Sequence, residues 1–372
     1  MAETTLATAS ERQVWEKTYF QEYVRQSRFM PYMTNADINK GGIILTKFQE
    51  EEEAFRTINI PFIGRLKSAG VTGATVLDGV EETLTNFNCP ITIDWRRNAV
   101  RLPKSTTFRT EINLWGAAKD ALQVWESEKI RDDIIHAMCA AVVDVNGTCV
   151  NWDAATAAQQ NAWTANNADR LLFGSANSNY NATFLTAAGN VAATAKASVA
   201  NMSLAKRIAK LADPRIRPFR VAADEGREFL VAFHGARSFR DIKADSTMVT
   251  ANQSARAREA LGMDKNPLFQ DGDLLYDGII HREVPEIDDY AAIAGFNGIG
   301  ASAADIRPVF VCGGGAVGIA WGQTPTPVTD MLKDYKFRPG VAIEELLGVK
   351  KINFNGKQNG MVTVFVGAAA DS

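Results

Sequence analysis

The stretch TEINLWGAAKDALQVWESEKIRDDIIHAMCAAVV, Thr110–Val143, reads as one long helix, and the rest of the chain is organised around it. Leu114, Ala118, Leu122, Trp125, Ile130, Ile134, Met138 and Ala141 recur at spacings of three to five, which puts them on one apolar stripe. Thr110 suits the N-cap, and Glu111 places a negative charge in the first turn, where the helix dipole favours it. Glu126/Lys129, Glu128/Arg131 and Lys129/Asp133 are expected as ion pairs on the solvated side. The β-branched Val142–Val143 and then Asn146-Gly147 end the pattern. At about 1.5 Å per residue such a rod is roughly 50 Å long, well beyond an ordinary globular helix. It either crosses a large domain or forms the spine of an extended molecule.

Upstream, residues 58–105 carry the second strong pattern. Gly64, Gly70, Gly73 and Gly79 punctuate a loop. Phe87, Cys89, Ile91, Ile93 and Trp95 then alternate with Asn88, Pro90, Thr92, Asp94 and Arg96, the signature of a strand with one buried face. Pro90 has no N–H for a ladder, so the strand belongs at an edge or in a two-stranded ribbon. A ribbon alone is marginal in water, so its apolar face must meet something else. Arg96, Arg97, Arg101, Lys104 and Arg109 form a basic run, read either as a solvated face or as partners for Glu50–Glu53 or Glu81–Glu82, in this chain or the next. Residues 1–57 read as an arm. Trp15, Tyr19, Phe20, Tyr23 and Val24 make a short amphipathic helix too aromatic to stay in water.

Downstream, 151–223 is rich in Ala, Asn and Thr, with Leu171–Phe173 as an apolar knot and Ser203–Leu211 as a short basic helix. Residues 224–338 read as mixed α and β. Strands are expected at Glu228–Phe233, Leu274–Tyr276, Ile279–His281 and Val309–Cys312, a helix at Ala255–Leu261, and a final strand at Met361–Val366.

Composition narrows the classes. A 46% hydrophobic content supports a real core, and a net charge of −3 argues against a strongly basic nucleic-acid binder. Cys89, Cys139, Cys149 and Cys312 have neither metal-ligand nor CxxC spacing and fit reduced thiols. Met1–Thr5 does not begin a secretory leader, and no run of about 18 apolar residues is available to span a membrane. Gly313–Gly318 fits G-x-G-x-x-G after a strand, but Gly322, Pro325 and Pro327 leave no room for the helix that would face a pyrophosphate. The glycines are read instead as permitting close backbone packing. His234 and His281 follow or end strands, and nothing selects a serine to join them in a triad. A large chain with no catalytic motif, an aromatic arm, a dependent ribbon and a very long helix reads as an obligate assembly protein.

Four stretches resemble a known family. They are Leu66-Lys67-Ser68-Ala69-Gly70-Val71-Thr72-Gly73, running on to Leu77–Glu82; Ile91-Thr92-Ile93-Asp94-Trp95-Arg96-Arg97-Asn98-Ala99-Val100; Asn266-Pro267-Leu268-Phe269, running on to Tyr276–His281; and Asp334–Gly340 with Gly348–Lys351. In this order they resemble the major capsid proteins of tailed bacteriophages, and among these the N-four-like phage family. The resemblance implies an α+β fold of the Hong Kong 97 type. It divides the chain into an N-terminal arm (1–57), an extension loop (58–105), a peripheral domain (106–223) with the spine helix at 110–143, an axial domain (224–338) and return strands of the peripheral domain (339–372). It implies self-assembly as hexamers and pentamers into an icosahedral head around double-stranded DNA, with maturation from a procapsid. Implied partners are other copies, a scaffolding protein, a portal protein, a decoration protein and DNA held without sequence specificity. The implied location is the virion, after assembly in the bacterial cytoplasm. No cofactor, metal or catalytic residue is expected. The candidates for contact between subunits are Trp15, Phe20, Lys67, Glu81, Glu82, Phe87, Ile91, Ile93, Trp95, Arg96, Arg97 and Arg101. Two rivals stand beside this reading: a nanocompartment shell around cargo enzymes, and a soluble hydrolase using His234 or His281.

Overall fold

A computed structural model describes residues 29–35, 42–48, 56–74, 76–105, 114–220, 228–251, 274–331 and 333–370. Trp15, Phe20, Thr110, Glu111, Arg109, Glu50–Glu53, the expected helix at Ala255–Leu261 and the Asn266–Phe269 stretch lie outside them.

The long helix spans Leu114–Cys139 (α1), 26 residues or about 39 Å. Ala118, Leu122, Ile130, Ile134 and Met138 are buried, as the stripe requires. Its C-terminus comes earlier than expected. Ala141–Val142 (β6) leaves the helix and pairs with Cys149–Val150 (β7). The cause is local: Gly147 takes φ 83° and Asp144 accepts the Thr148 N–H, closing a hairpin that suits β-branched Val142 better than a further helical turn. The expected surface pairs are also corrected. Glu126 is fully buried, Lys129 pairs with Asp132 at 3.8 Å, and Arg131 reaches Asp132 at 2.9 Å and Glu286 at 3.1 Å.

Beneath α1 lies a five-stranded sheet. Its order is Met33–Asn35 (β1), Ile44–Phe48 (β2), Val317–Asp330 (β14), Gly340–Lys351 (β15) and Asp94–Arg101 (β5). Side chains alternate across it. Val341 and Ile343 pack with Leu122 of α1 on one face. On the other, Leu45 and Ala320 pack with Ile58, Ile60, Cys89, Ile91 and Ile93. These last belong to the ribbon of Thr57–Ile63 (β3) and Asn86–Thr92 (β4), which form a two-stranded antiparallel sheet of their own. The single alternating strand expected from Phe87 to Trp95 is therefore two, with Ile93 at the break. Trp95 consequently does not continue the buried face; it is 53% exposed.

The second sheet has the order Leu274–Tyr276 (β11), Ile279–Glu283 (β12), Glu228–His234 (β10), Ile306–Cys312 (β13), Met361–Gly367 (β18) and Leu171–Phe173 (β8), with Phe219–Arg220 (β9) paired to β10. Strands β13 and β18 are buried at every residue, because both faces are covered. Val362, Val364 and Val366 face the helix Val199–Leu211 (α4), while Phe365 faces an aromatic core of Trp152, Trp163, Phe173, Phe184 and Phe296. Between α1 and α4 come the short helices Ala157–Asn166 (α2) and Phe184–Gly189 (α3). The spans 106–223, 224–338 and 339–372 interleave here. Each contributes strands to the seven-stranded sheet, and β14 and β15 lie on either side of the 338/339 boundary as arms of one hairpin.

Candidate functional site

The ribbon has two ends of opposite character. At its root, Cys89 and Ile91 are sealed against the sheet, and the seal depends on two small residues. A Cβ on Gly318 would stand 2.7 Å from Ile91 Cδ1, and one on Gly348 would stand 2.2 Å from the Thr92 carbonyl oxygen. Ile91 and Ile93, read as candidates for contact between subunits, are thus buried in the chain's own core. Phe87 is half-buried and packs on Phe354 at 4.8 Å.

Beyond Ile63 and Asn86 the chain opens into a loop in which nearly every described residue is exposed. Leu66, Val76, Leu77, Val80 and Leu84 are each more than half exposed, as is Ile63 at the strand end. So many large apolar side chains on one projecting loop mark an interaction surface. Two carboxylates shape it. The Glu82 carboxylate accepts the backbone N–H groups of Lys67 and Ser68, both at 2.6 Å, which holds it below the usual carboxylate range. Glu81 accepts the Gly79 N–H at 2.8 Å. Lys67 Nζ donates to Asp213 at 2.5 Å, with Arg65 3.9 Å from the same carboxylate. Lys67, Glu81 and Glu82 thus share one exposed loop.

The basic run is divided. Arg96 does not reach Glu81 or Glu82; it is ion-paired with Asp133 of α1 and Glu345 of β15. Being half-buried and so engaged, it is a fastening within the subunit. Arg97 and Arg101 stay exposed, Arg101 lying 3.7 Å from Asp330. Two fully buried arginines escaped the sequence reading. Arg170 donates to the carbonyls of Gln358, Asn359 and Pro214, and Arg307 sits 3.2 Å from Asp288. The signal was in their neighbours: Arg170 abuts Leu171–Phe173 and Arg307 lies between Ile306 and Val309–Cys312, apolar runs that carry the charged residue inside with them.

The two histidines of the hydrolase reading and the glycine-rich stretch both lie in the described residues. His234 and His281 are buried and face each other, Nε2 to Nδ1 at 3.0 Å, one donating and one accepting as neutral rings. Burial pushes both down, His281 to about 4. The Gly313–Gly318 stretch leads into β14 rather than a helix, and a Cβ on Gly313 would stand 2.3 Å from the Arg217 carbonyl oxygen, so close backbone packing is its role.

A dependent ribbon, a long helix across a sheet and a projecting apolar loop define a shell-building subunit, and known proteins agree. The capsid asymmetric unit of cyanophage Pam1 superposes over the whole of both chains with a TM-score of 0.84 and 46% identity. The capsid of Ralstonia phage GP4 shares the fold at TM-score 0.69 and 20% identity, covering 93% of this chain and 92% of that one. A major capsid protein of Pseudomonas phage KPP25 is 25% identical over 97% of this chain and 96% of its own length. Residues 3–367 match the phage capsid protein family, and the chain belongs to it. The fold is the Hong Kong 97 type, and the protein is a major capsid subunit of a phage virion.

Proposed function

We propose that the subunit assembles as hexamers and pentamers, and that the exposed loop from Gly64 to Thr85 reaches over a neighbouring copy as the extension loop. The observation that supports this is the cluster of exposed Leu66, Val76, Leu77, Val80 and Leu84 beyond a ribbon whose root is buried. Covering a Leu or Val fully is worth about 1.5–3 kcal/mol, repeated at every subunit of a shell. Residues 1–57 serve as the arm, α1 as the spine of the peripheral domain, and the region around β10–β13 as the axial domain. The subunit coassembles with a scaffolding protein around a portal vertex, and the shell expands on packaging double-stranded DNA along its inner face without sequence specificity. A decoration protein on the outer face completes the set of partners, and assembly takes place in the host cytoplasm. No catalytic role is assigned to any residue.

Deleting Gly64–Gly79 tests the loop. Val80–Thr85 remain to close the ribbon, so the variant should be a folded subunit that forms no closed shells. Normal shells from it would sink the assignment.

A further inference from the structure

Where the exposed loop leaves the ribbon, it and the body of the subunit enclose a cleft of about 620 Å³. Phe62 and Phe87 of the ribbon pack on Phe354 along one wall, with ring centroids 5.8 and 4.8 Å apart. Five cations line the cleft: Arg65 and Lys67 from the loop, Arg215 and Arg217 from the segment after α4, and Lys357 from the hairpin Asn353–Gln358. The carboxylates beside them are fewer and already shared. Glu82 accepts the N–H groups of Lys67 and Ser68. Asp213 serves both Lys67 at 2.5 Å and Arg65 at 3.9 Å, and Lys357 reaches Asp169 at 3.2 Å. Arg217 is not needed for the balance, because Arg65, Lys67, Arg215 and Lys357 already outnumber Glu82, Asp213 and Asp169. In a chain of net charge −3, a concave surface with this excess of positive charge draws anions.

The chain carries a matching anion. Glu50–Glu53 is its longest run of acidic residues. The run lies in sequence between Phe48, the end of β2, and Thr57, the start of β3. Phe48 pairs with Trp321 and Thr57 with Thr92, whereas the cleft lies at Ile63 and Gly314, the opposite ends of β3 and of the start of β14. The strand from Thr57 to Ile63 spans about 20 Å. The four steps from Glu53 to Thr57 cover about 14 Å even when fully extended, so the backbone of a copy's own run stops short of its own cleft. We propose that the cleft is the docking site for the Glu50–Glu53 run of a second copy of the chain. This rests on the assembly reading and adds a second contact to it. Arg65 and Lys67 stand on the loop, Arg215 and Lys357 on the body, so an acidic run laid between them ties both to one neighbouring copy. Arg65 and Lys67, which share the single Asp213 carboxylate in the free subunit, gain carboxylates of their own. The aromatic wall at Phe354 keeps water from one side of these pairs and strengthens them.

A fluorescent peptide of residues 48–55, titrated into the full-length free subunit and followed by anisotropy, tests the docking whether or not shells form. The peptide should bind saturably, with an affinity that falls as salt is raised. Replacing its four glutamates by glutamine should weaken binding by roughly tenfold or more, and so should Arg65→Glu combined with Arg215→Glu in the subunit. Both arginines are exposed, so the doubly substituted subunit should still fold. An absence of saturable binding, equal binding of the glutamine peptide, or equal binding to the doubly substituted subunit overturns the proposal. Binding of inorganic pyrophosphate without binding of the peptide also overturns it, and would make the cleft a phosphate site. If the doubly substituted subunit does not fold, the comparison of glutamate and glutamine peptides on the wild type decides. Normal shells from a subunit that ignores the peptide refute the docking and leave the assembly reading standing; a subunit that binds the peptide yet never assembles does the reverse.

Discussion

Gly348 shows how much of the ribbon's seating rests on a missing methyl. The Thr92 carbonyl oxygen occupies the space a Cβ would fill. Gly348→Ala must push the ribbon root off the sheet, and a melting curve of the free subunit should show a loss of about 1–3 kcal/mol. His281 makes a second prediction at this scale. Its folded pKa of about 4 lies below the ordinary value of 6.5, so the unfolded chain binds the extra proton first as pH falls. Its contribution to stability is complete above about pH 6.5 and is lost on descent through about 4. The shift corresponds to roughly 3 kcal/mol. His281→Gln should flatten the acid limb of the stability profile by up to that amount; an unchanged limb would clear the histidine pair of any part in acid sensitivity. The alternation of Cys89, Ile91 and Ile93 made the buried face readable from residue types alone. The turn outward at Trp95 was not readable, because it depends on the chain changing partner, from β3 along β4 to β15 along β5.

At the level of elements, α1 and the ribbon pack on opposite faces of one sheet, which gives each a distinct vulnerability. Ile134, fully buried on the helix stripe, should cost about 2–5 kcal/mol when truncated to alanine, measured by denaturant unfolding. The ribbon should divide along its length. Amides of Cys89 and Ile91, sealed against the sheet, should exchange slowly in the free subunit, while those of Val76–Leu84 exchange fast and become protected only in shells. Equal protection of the loop in both forms would mean that it contacts no neighbour. The helix was legible because its stripe repeats over many turns. Its end was not, because Val142 is drawn into a hairpin by Cys149–Val150 and the Asp144–Thr148 turn. Glu126 was misplaced on the solvated side for a similar reason: period alone cannot show how far around the helix the cover of β15 extends.

For the whole molecule, the two sheets interlock through segments far apart in sequence. The strands of the seven-stranded sheet run from Leu171 to Gly367, so most of that span must be in place before this sheet is complete. The region 151–223 read as weak in pattern, yet Trp152, Trp163, Phe173 and Phe184 build the aromatic core beside β18. Single aromatic residues spaced by Ala, Asn and Thr leave no periodic trace, so that core became visible only in three dimensions. The capsid reading survived this gap because it rested on the order of arm, loop, helix and body rather than on one site. Its most direct test is the mass and shape of the purified full-length protein, by sedimentation and negative-stain microscopy, with a scaffolding protein coexpressed. The proposed assembly predicts closed icosahedral particles, or flat hexamers and pentamers, with the loop at the contacts between subunits. A compact monomer that persists with scaffold present, at concentrations where the deletion variant behaves identically, would contradict it.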